Sequence, residues 1–210
     1  MKTLVIAIDG PASAGKGTLA RSLAAALGLP HLDTGLLYRA TGRRVLTAGQ
    51  DPANHAAATA AAPTLEAADL ARPDLRGPEA DRAASLVAAV PAVRDALLAF
   101  QRRFAEPGAV LDGRDIGTVV CPGAQVKLYV TATSQARAHR RWLELQSKGT
   151  HIPLDQVEAD LQARDVQDST RATAPLRPAE DAILLDTTAL DAGAALARAL
   201  EIVRNRTGSA

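Results

Sequence analysis

The sequence predicts a three-layer α/β fold: a five-stranded parallel sheet with helices on both faces. Three observations predict it. Short apolar runs at residues 4–8, 30–32, 109–111, 126–130 and 183–185 alternate with long helical stretches. Runs that are apolar at nearly every position, rather than every second one, suit strands covered on both faces, and the stretches between them are long enough for right-handed crossovers. Four of the runs finish in Asp9, Asp33, Asp112 and Asp186, which lines carboxylates along the rim where open α/β sheets gather their active residues. Aspartate also begins turns and caps helices, and Asp186, ahead of Thr187 and Thr188, is read in that way.

The first run, Val5 to Ile8, continues into Asp9-Gly10-Pro11-Ala12-Ser13-Ala14-Gly15-Lys16-Gly17-Thr18, which carries the pattern Gly-x-x-x-x-Gly-Lys. Gly10 and Gly15 let the backbone curl so that its N–H groups point inward. Lys16 brings a mobile positive charge, and a helix starting near Gly15 adds the positive end of its dipole. Strand, loop, lysine and helix follow in the order a phosphate cradle requires, so the expected ligand is a nucleoside triphosphate rather than none, as for a plain Gly-rich turn. The residue after the lysine is Gly17, and the hydroxyl arrives only at Thr18. A magnesium ion carried by the ligand would then lean on waters and phosphate oxygens, with Thr18 meeting a phosphate or the metal through water.

The second run leads through Asp33 into Thr34-Gly35-Leu36-Leu37-Tyr38-Arg39. Residues 48–78 are rich in alanine, proline and aspartate and poor in β-branched and aromatic side chains, which predicts short helices and loops rather than sheet. Amphipathic spacing predicts helices over 86–104 and 136–146, and a closing helix over 190–203. Between Gly149 and Pro178 a polar stretch with Arg164, Asp165, Asp168 and Arg171 predicts short helices, with residues 164, 168 and 171 on one helical face. It is either a solvated surface or a lid closing over phosphates.

A chain of 210 residues with 47% hydrophobic content buries one α/β core with small appendages rather than two full domains. Its formal charge is +1, with 24 basic and 23 acidic residues interspersed, and only 2% of its residues are aromatic. The basic footprint and stacking platforms of a nucleic-acid binder are both missing, so nucleic acid is not an expected partner. The single cysteine, Cys121, excludes an internal disulfide framework and a Cys-based zinc site, and fits a reducing compartment. Met1-Lys2-Thr3 ahead of an apolar run has the outline of a secretory leader, but the run passes into the phosphate loop within a few residues and is read as the first strand. No later segment reaches membrane-spanning length without charges, and the sequon Asn205-Arg206-Thr207 has no meaning without secretion. A cytoplasmic monomer that binds neither membrane nor nucleic acid is expected. His31, His55, His139 and His151 show neither metal-ligand nor triad spacing.

Beyond the phosphate loop, the segments His31-Leu32-Asp33-Thr34-Gly35-Leu36-Leu37-Tyr38-Arg39, Ala84-Ser85 leading to Pro91-Ala92-Val93-Arg94, Leu111-Asp112-Gly113-Arg114-Asp115-Ile116-Gly117-Thr118-Val119-Val120, and Arg164-Asp165 through Asp168, Arg171 and Ala174-Pro175-Leu176 occur in order. In these the chain resembles bacterial cytidylate kinases, nucleoside monophosphate kinases of the P-loop NTPase fold. The resemblance implies one domain over 1–210, with a core at about 1–47, 84–148 and 179–206, an acceptor-binding insert at about 48–83 and a lid at about 149–178. It also implies transfer of the γ-phosphoryl group of ATP, with Mg, to CMP or dCMP.

An acceptor that is itself a phosphate, with a second pKa near neutrality, needs no general base; alignment and cations suffice. The resemblance gives Lys16 and the loop from Gly10 to Thr18 the ATP phosphates, and Arg39 and Arg114 the acceptor phosphate, with Thr34 and Tyr38 lining that side. Arg164 and Asp168 fall near the ribose and Arg171 near the phosphates, so that Lys16, Arg114, Arg164 and Arg171 form the catalytic set. For the base, Asp115 can accept from the cytosine amino group, Arg94 can donate to its acceptors and Ser85 can do either. Uracil would set an oxygen against the Asp115 carboxylate, so CMP is expected to be preferred to UMP. Arg137, Arg140 and Arg141 either assist the donor side or solubilise a helix, and Asp112 either orients magnesium through water or caps the next loop. Arg76 matches an arginine-bearing position of the family. Two departures stand out: residues 50–77 look too short and alanine-rich for the small extra sheet of many members, and Cys121 stands where an aromatic is common. Rival readings are a kinase for UMP, AMP or a non-nucleotide acceptor, and a non-catalytic nucleotide-dependent regulator.

Overall fold

The structure, a computed structural model, describes residues 3–208. Met1 and Lys2, on which the leader reading turns, lie outside the described residues. The five predicted strands form one sheet: β1 (Val5–Asp9), β2 (His31–Asp33), β3 (Ala109–Gly113), β4 (Val126–Thr131) and β5 (Ile183–Asp186), in the order β2-β3-β1-β4-β5. Every neighbouring pair is parallel. β1 lies at the centre, with Asp9 level with Gly113 on one side and Tyr129 on the other. The loops leaving β1, β3 and β4 therefore open side by side at the carboxyl rim.

Both faces of the sheet are covered, which is why its strands read as unbroken apolar runs. Ile6, Ile8, Val110, Val126 and Leu128 pack against Leu19 and Leu23 of α1 (Lys16–Leu27) and Ile202 and Val203 of α9 (Ala192–Thr207). On the other face Ala7 and Leu111 meet Ile116 and Val120 of a single π-helical turn (Ile116–Val120), with Leu98 and Phe104 packed alongside and Cys121 filling space at the edge. α1 ends where Gly28, at φ +65°, donates back to the last-turn carbonyls. α9 begins with Asp191 accepting from the N–H of Ala194.

Residues 48–78 fold as the short helices their composition predicts: α3 (His55–Ala61), a 3₁₀ turn (Ala62–Thr64) and α4 (Ala67–Leu70). They lean on α2 (Thr34–Thr47) through Arg44–Asp69 and Arg43–Asp74 ion pairs. The helix predicted over 86–104 is instead two, α5 (Pro78–Ala88) and α6 (Pro91–Ala105), bent by 98°. Pro91 has no N–H to continue the ladder and pushes Val90 into extended backbone, so one helix ends and another starts on the proline. α5 runs unbroken through 83–84, where the insert was expected to give way to the core.

After α7 (Ser134–Ser147), residues 149–178 hold one long helix, α8 (Leu154–Thr170), where short ones were predicted. It contains neither glycine nor proline, and Val157 and Leu161 bury one side of it against Leu145. Arg171 lies beyond its end in extended backbone, so residues 164, 168 and 171 do not share a helical face. The chain turns there because the N–H of Leu176 caps the carbonyl of Asp168 and Arg171 Nε donates to the carbonyl of Ala174. Among the described residues no single helix is long and apolar enough to cross a membrane.

Candidate active site

β1 delivers the chain to its loop through Asp9, whose two carboxylate oxygens accept the N–H groups of Ile116 and Gly117, each at 2.7 Å. Burial pushes the Asp9 pKa up to about 6, against the downward pull of those two hydrogen bonds. Gly10 follows at φ +146°, where a Cβ would lie 1.9 Å from the carbonyl oxygen of Val130. Gly10→Ala is therefore expected to cost about 3 kcal/mol or more of stability in urea unfolding; a variant as stable as the parent would show that the loop has another seat. Ser13 and Gly15 also take positive φ, which turns successive N–H groups toward one side and forms a nest for anions.

Lys16 opens α1. Its ammonium donates to the carbonyl of Pro11 at 2.6 Å and is buried. Burial, then the charges of Arg114 and Arg164, draw its pKa well below the usual lysine range, with Asp112 and Asp168 opposing. The loop is braced from behind, where Arg137 Nη1 donates to the carbonyl of Ala12 at 3.3 Å and Thr187 Oγ1 to that of Ala14 at 3.0 Å.

A cavity of about 630 Å³ runs from this loop to the far side of α2 and α5. Gly15, Lys16, Gly17 and Thr18 line one end of it, whereas Gly10 and the buried Ala14 of the same loop do not reach it. Thr34, Tyr38, Arg39, Arg76, Ser85, Arg94, Arg114, Asp115, Arg164, Asp168 and Arg171 all face the same space. Arg39 Nη1 lies over the start of α2, 3.0 Å from where a Cβ on Gly35 would sit, so a guanidinium end and a helix N-terminus share one spot. Arg114 Nε donates to Asp168 Oδ2 at 2.8 Å, tying the end of β3 to α8. Arg94 donates to Asp115 at 2.5 Å, with its guanidinium 5.2 Å from the centre of the Tyr38 ring. Arg171 sits 3.6 Å from Asp168, the carboxylate that Arg114 holds, and 3.9 Å from Asp115. Its position beyond the end of α8 swings it there.

The description that matches this chain as a family model is cytidylate kinase, over residues 6–205. The chain belongs to the cytidylate kinase family. A cytidylate kinase of Granulibacter bethesdensis is 63% identical over 204 residues, covering 97% of this chain and 98% of that protein. One of Acidiphilium cryptum is 60% identical over 203 residues, covering 96% of each. Among solved structures, TT1252 from Thermus thermophilus superposes with a TM-score of 0.51 at 22% identity, covering 99% of each chain, and so speaks for the fold alone. Membership in a kinase family brings ATP with it as co-substrate.

Against that family background, the helix-borne arginines separate. Arg137 is no surface residue: it is buried and reaches the carbonyls of Ala132 and Ala12 and the carboxylate of Asp165. Arg140 is held by Thr187, and Arg141 lines the cavity. Asp112 caps nothing; it takes the ring N–H of His31 at 2.7 Å and turns its other oxygen toward Gly17. Among the described residues no cluster of three or more His, Cys, Asp or Glu side chains could hold a metal ion. Thr18 and Asp112 both line the cavity beside Gly17, where a hydrated magnesium carried on ATP phosphates would meet them through water and would supply charge neutralisation. Asp186 accepts from the N–H and hydroxyl of Thr188, the turn its sequence predicts.

Sequence reasoning missed Asp81, Gln167 and the roles of Asp9 and His31. Asp81 sits one turn before Ser85 on α5, and its carboxylate meets Arg39, Arg141 and Arg164. The four-residue spacing to Ser85 was the available signal.

Proposed function

We propose that the chain transfers the γ-phosphoryl group of ATP to CMP or dCMP, giving ADP and CDP or dCDP. The observation that carries this reading is that one cavity joins the Lys16 loop to the Arg94–Asp115 pair. In it Lys16 and the loop amides hold the ATP phosphates. Arg39 and Arg114 clamp the acceptor phosphate, which Thr34 and Tyr38 flank; a planar guanidinium binds it with two parallel charge-assisted bonds.

Two anions that repel each other are thereby brought into line, and the acceptor oxygen, already largely deprotonated, attacks without a base. Ser85, Arg94 and Asp115 read the cytosine edge, with Arg94 holding the Asp115 carboxylate in place through its hydrogen bond. Arg164 and Asp168 take the ribose, and Arg171, which shares Asp168 with Arg114, serves the phosphates with Lys16, Arg114 and Arg164. Residues 48–83 serve as the acceptor-binding insert and 149–178 as the lid, which excludes water as a competing acceptor. Interspersed charge and a single cysteine support a cytoplasmic monomer acting on small molecules.

The test is an acceptor panel with ATP and magnesium: CMP, dCMP, UMP, AMP and shikimate. A cytidine nucleotide is expected to turn over fastest, and any other ranking removes the assignment. Asp115→Asn presents an amide that can donate to the uracil oxygen, so the CMP-to-UMP ratio of kcat/KM is expected to fall by about tenfold or more. An unchanged ratio would release Asp115 from base selection.

A further inference from the structure

Three arginines from three helices converge on a single carboxylate that neither the motifs nor the phosphate chemistry requires. Asp81 Oδ1 accepts from Arg39 Nε of α2 at 3.1 Å and lies 3.7 Å from Arg164 Nη1 of α8, while Oδ2 accepts from Arg141 Nη2 of α7 at 2.6 Å. We propose that Asp81 is a positioning residue that gathers Arg39, Arg141 and Arg164 onto the acceptor side of the cavity and sets the phosphate clamp and the lid helix in register. This rests on the reading of Arg39 and Arg164 as acceptor-binding groups.

The geometry leaves the guanidinium groups held but not used up. Arg39 gives Asp81 only its Nε–H; its terminal nitrogens lie above the start of α2, where Nη1 is 3.9 Å from Asp33 Oδ1. Arg164 touches Asp81 through one terminal nitrogen, and its buried Nε finds no hydrogen-bond partner among the described residues. Arg141 is shared with Glu144. Asp81 is the carboxylate that all three guanidinium groups share, while Asp33 meets only Arg39 and Glu144 only Arg141 among them. Without the carboxylate the three cations would face one another in a partly dry site and splay apart.

The three arginines in turn pull the Asp81 pKa below the ordinary carboxylate range despite its burial, so it is charged at neutral pH. Arg164 feels the opposite pressure: burial and Arg114 bring its pKa down to about 10, against the pull of the Asp81 carboxylate.

A second rung fixes the direction of the coupling. Gln167 Nε2 of α8 donates to the carbonyl of Ser85 on α5 at 3.3 Å. Asp81 and Ser85 are one turn apart on α5, and Arg164 and Gln167 one turn apart on α8, so the two contacts lie along one seam between the helices. Moving Asp81 would shift the lid against the residue that faces the base as well as against the phosphate clamp.

Asp81→Asn offers three donors one acceptor oxygen and no charge. It is expected to raise KM for CMP about tenfold or more while KM for ATP stays within about twofold, because a charge-assisted hydrogen bond on the acceptor side alone is lost. Asp81→Glu, which restores the charge, is expected to recover most of the loss. An unchanged or lowered KM for CMP, or an equal rise for both substrates with no recovery in Asp81→Glu, overturns the proposal.

Should Asp81→Asn not fold, the unaltered protein decides. In its NMR spectrum without nucleotide, the Arg39 Nε–H signal, assigned with Arg39→Lys, is expected to be protected from solvent exchange; a freely exchanging signal overturns the proposal. Failure of the unaltered protein to phosphorylate CMP would sink the kinase reading instead, and the Arg39 signal would still report on Asp81.

Discussion

Lys16→Ala is expected to lower turnover by about three orders of magnitude, because a preorganised, desolvated cation aimed at developing phosphate charge is removed. The same change is expected to leave the melting temperature unchanged or slightly raised. Lys16 is buried, with the carbonyl of Pro11 as its hydrogen-bond acceptor and Arg114 and Arg164 as like-charged neighbours. A charge so placed is held against its own solvation, so stability gains when it goes. A coupled assay for ADP formation and a thermal melt on the same preparation separate the two effects. Turnover within about tenfold of the parent would remove Lys16 from the phosphoryl-transfer step.

Arg114→Ala is expected to weaken CMP binding by about a hundredfold in calorimetry without ATP, and to reduce turnover at least as much. Arg114 has a second task that the binding data alone would hide. Its Nε–H holds Asp168 of the lid at 2.8 Å, and without it that buried carboxylate is left with Arg171 at 3.6 Å. A stability loss of about 1–3 kcal/mol is therefore expected alongside the lost affinity. Arg114→Lys is expected to recover little of either, since an ammonium cannot fork between a phosphate and Asp168 as a planar guanidinium does. Full CMP affinity in Arg114→Ala would take Arg114 out of the clamp. Absence of CMP binding by the unaltered protein would favour a nucleotide-dependent regulator over a kinase.

The strands were legible because burial on both sheet faces leaves its mark in consecutive residues. Even so, β1, β2 and β5 each run through the terminal aspartate that the apolar pattern excluded, since Asp9, Asp33 and Asp186 still pair in the ladder. The break between α5 and α6 was not legible from hydrophobic spacing, because Val87, Val90 and Val93 enter the same core cluster on either side of it. The spacing therefore continues through a bend that Pro91 imposes on the backbone. In the lid, charge density suggested interruptions, whereas the absence of glycine and proline decided for one continuous helix.

Within the site, Lys16, Arg39, Arg94, Arg114 and Asp115 were legible because they sit in short motifs whose order is local. Asp81 was not: nothing in its neighbourhood along the chain announces Arg39, Arg141 or Arg164, and the three meet it only when α2, α5, α7 and α8 pack.

By itself the sequence determined the central strands, the positive-φ turns of the phosphate loop and the identity of the cations, because backbone freedom and apolar runs belong to neighbouring residues. The tertiary structure alone decided which charge answers which. Asp9 reaches Gly117 across 108 positions and Arg114 reaches Asp168 across 54. In a poorly solvated cleft the strength of such pairs depends on distance through space, which separation along the chain does not encode.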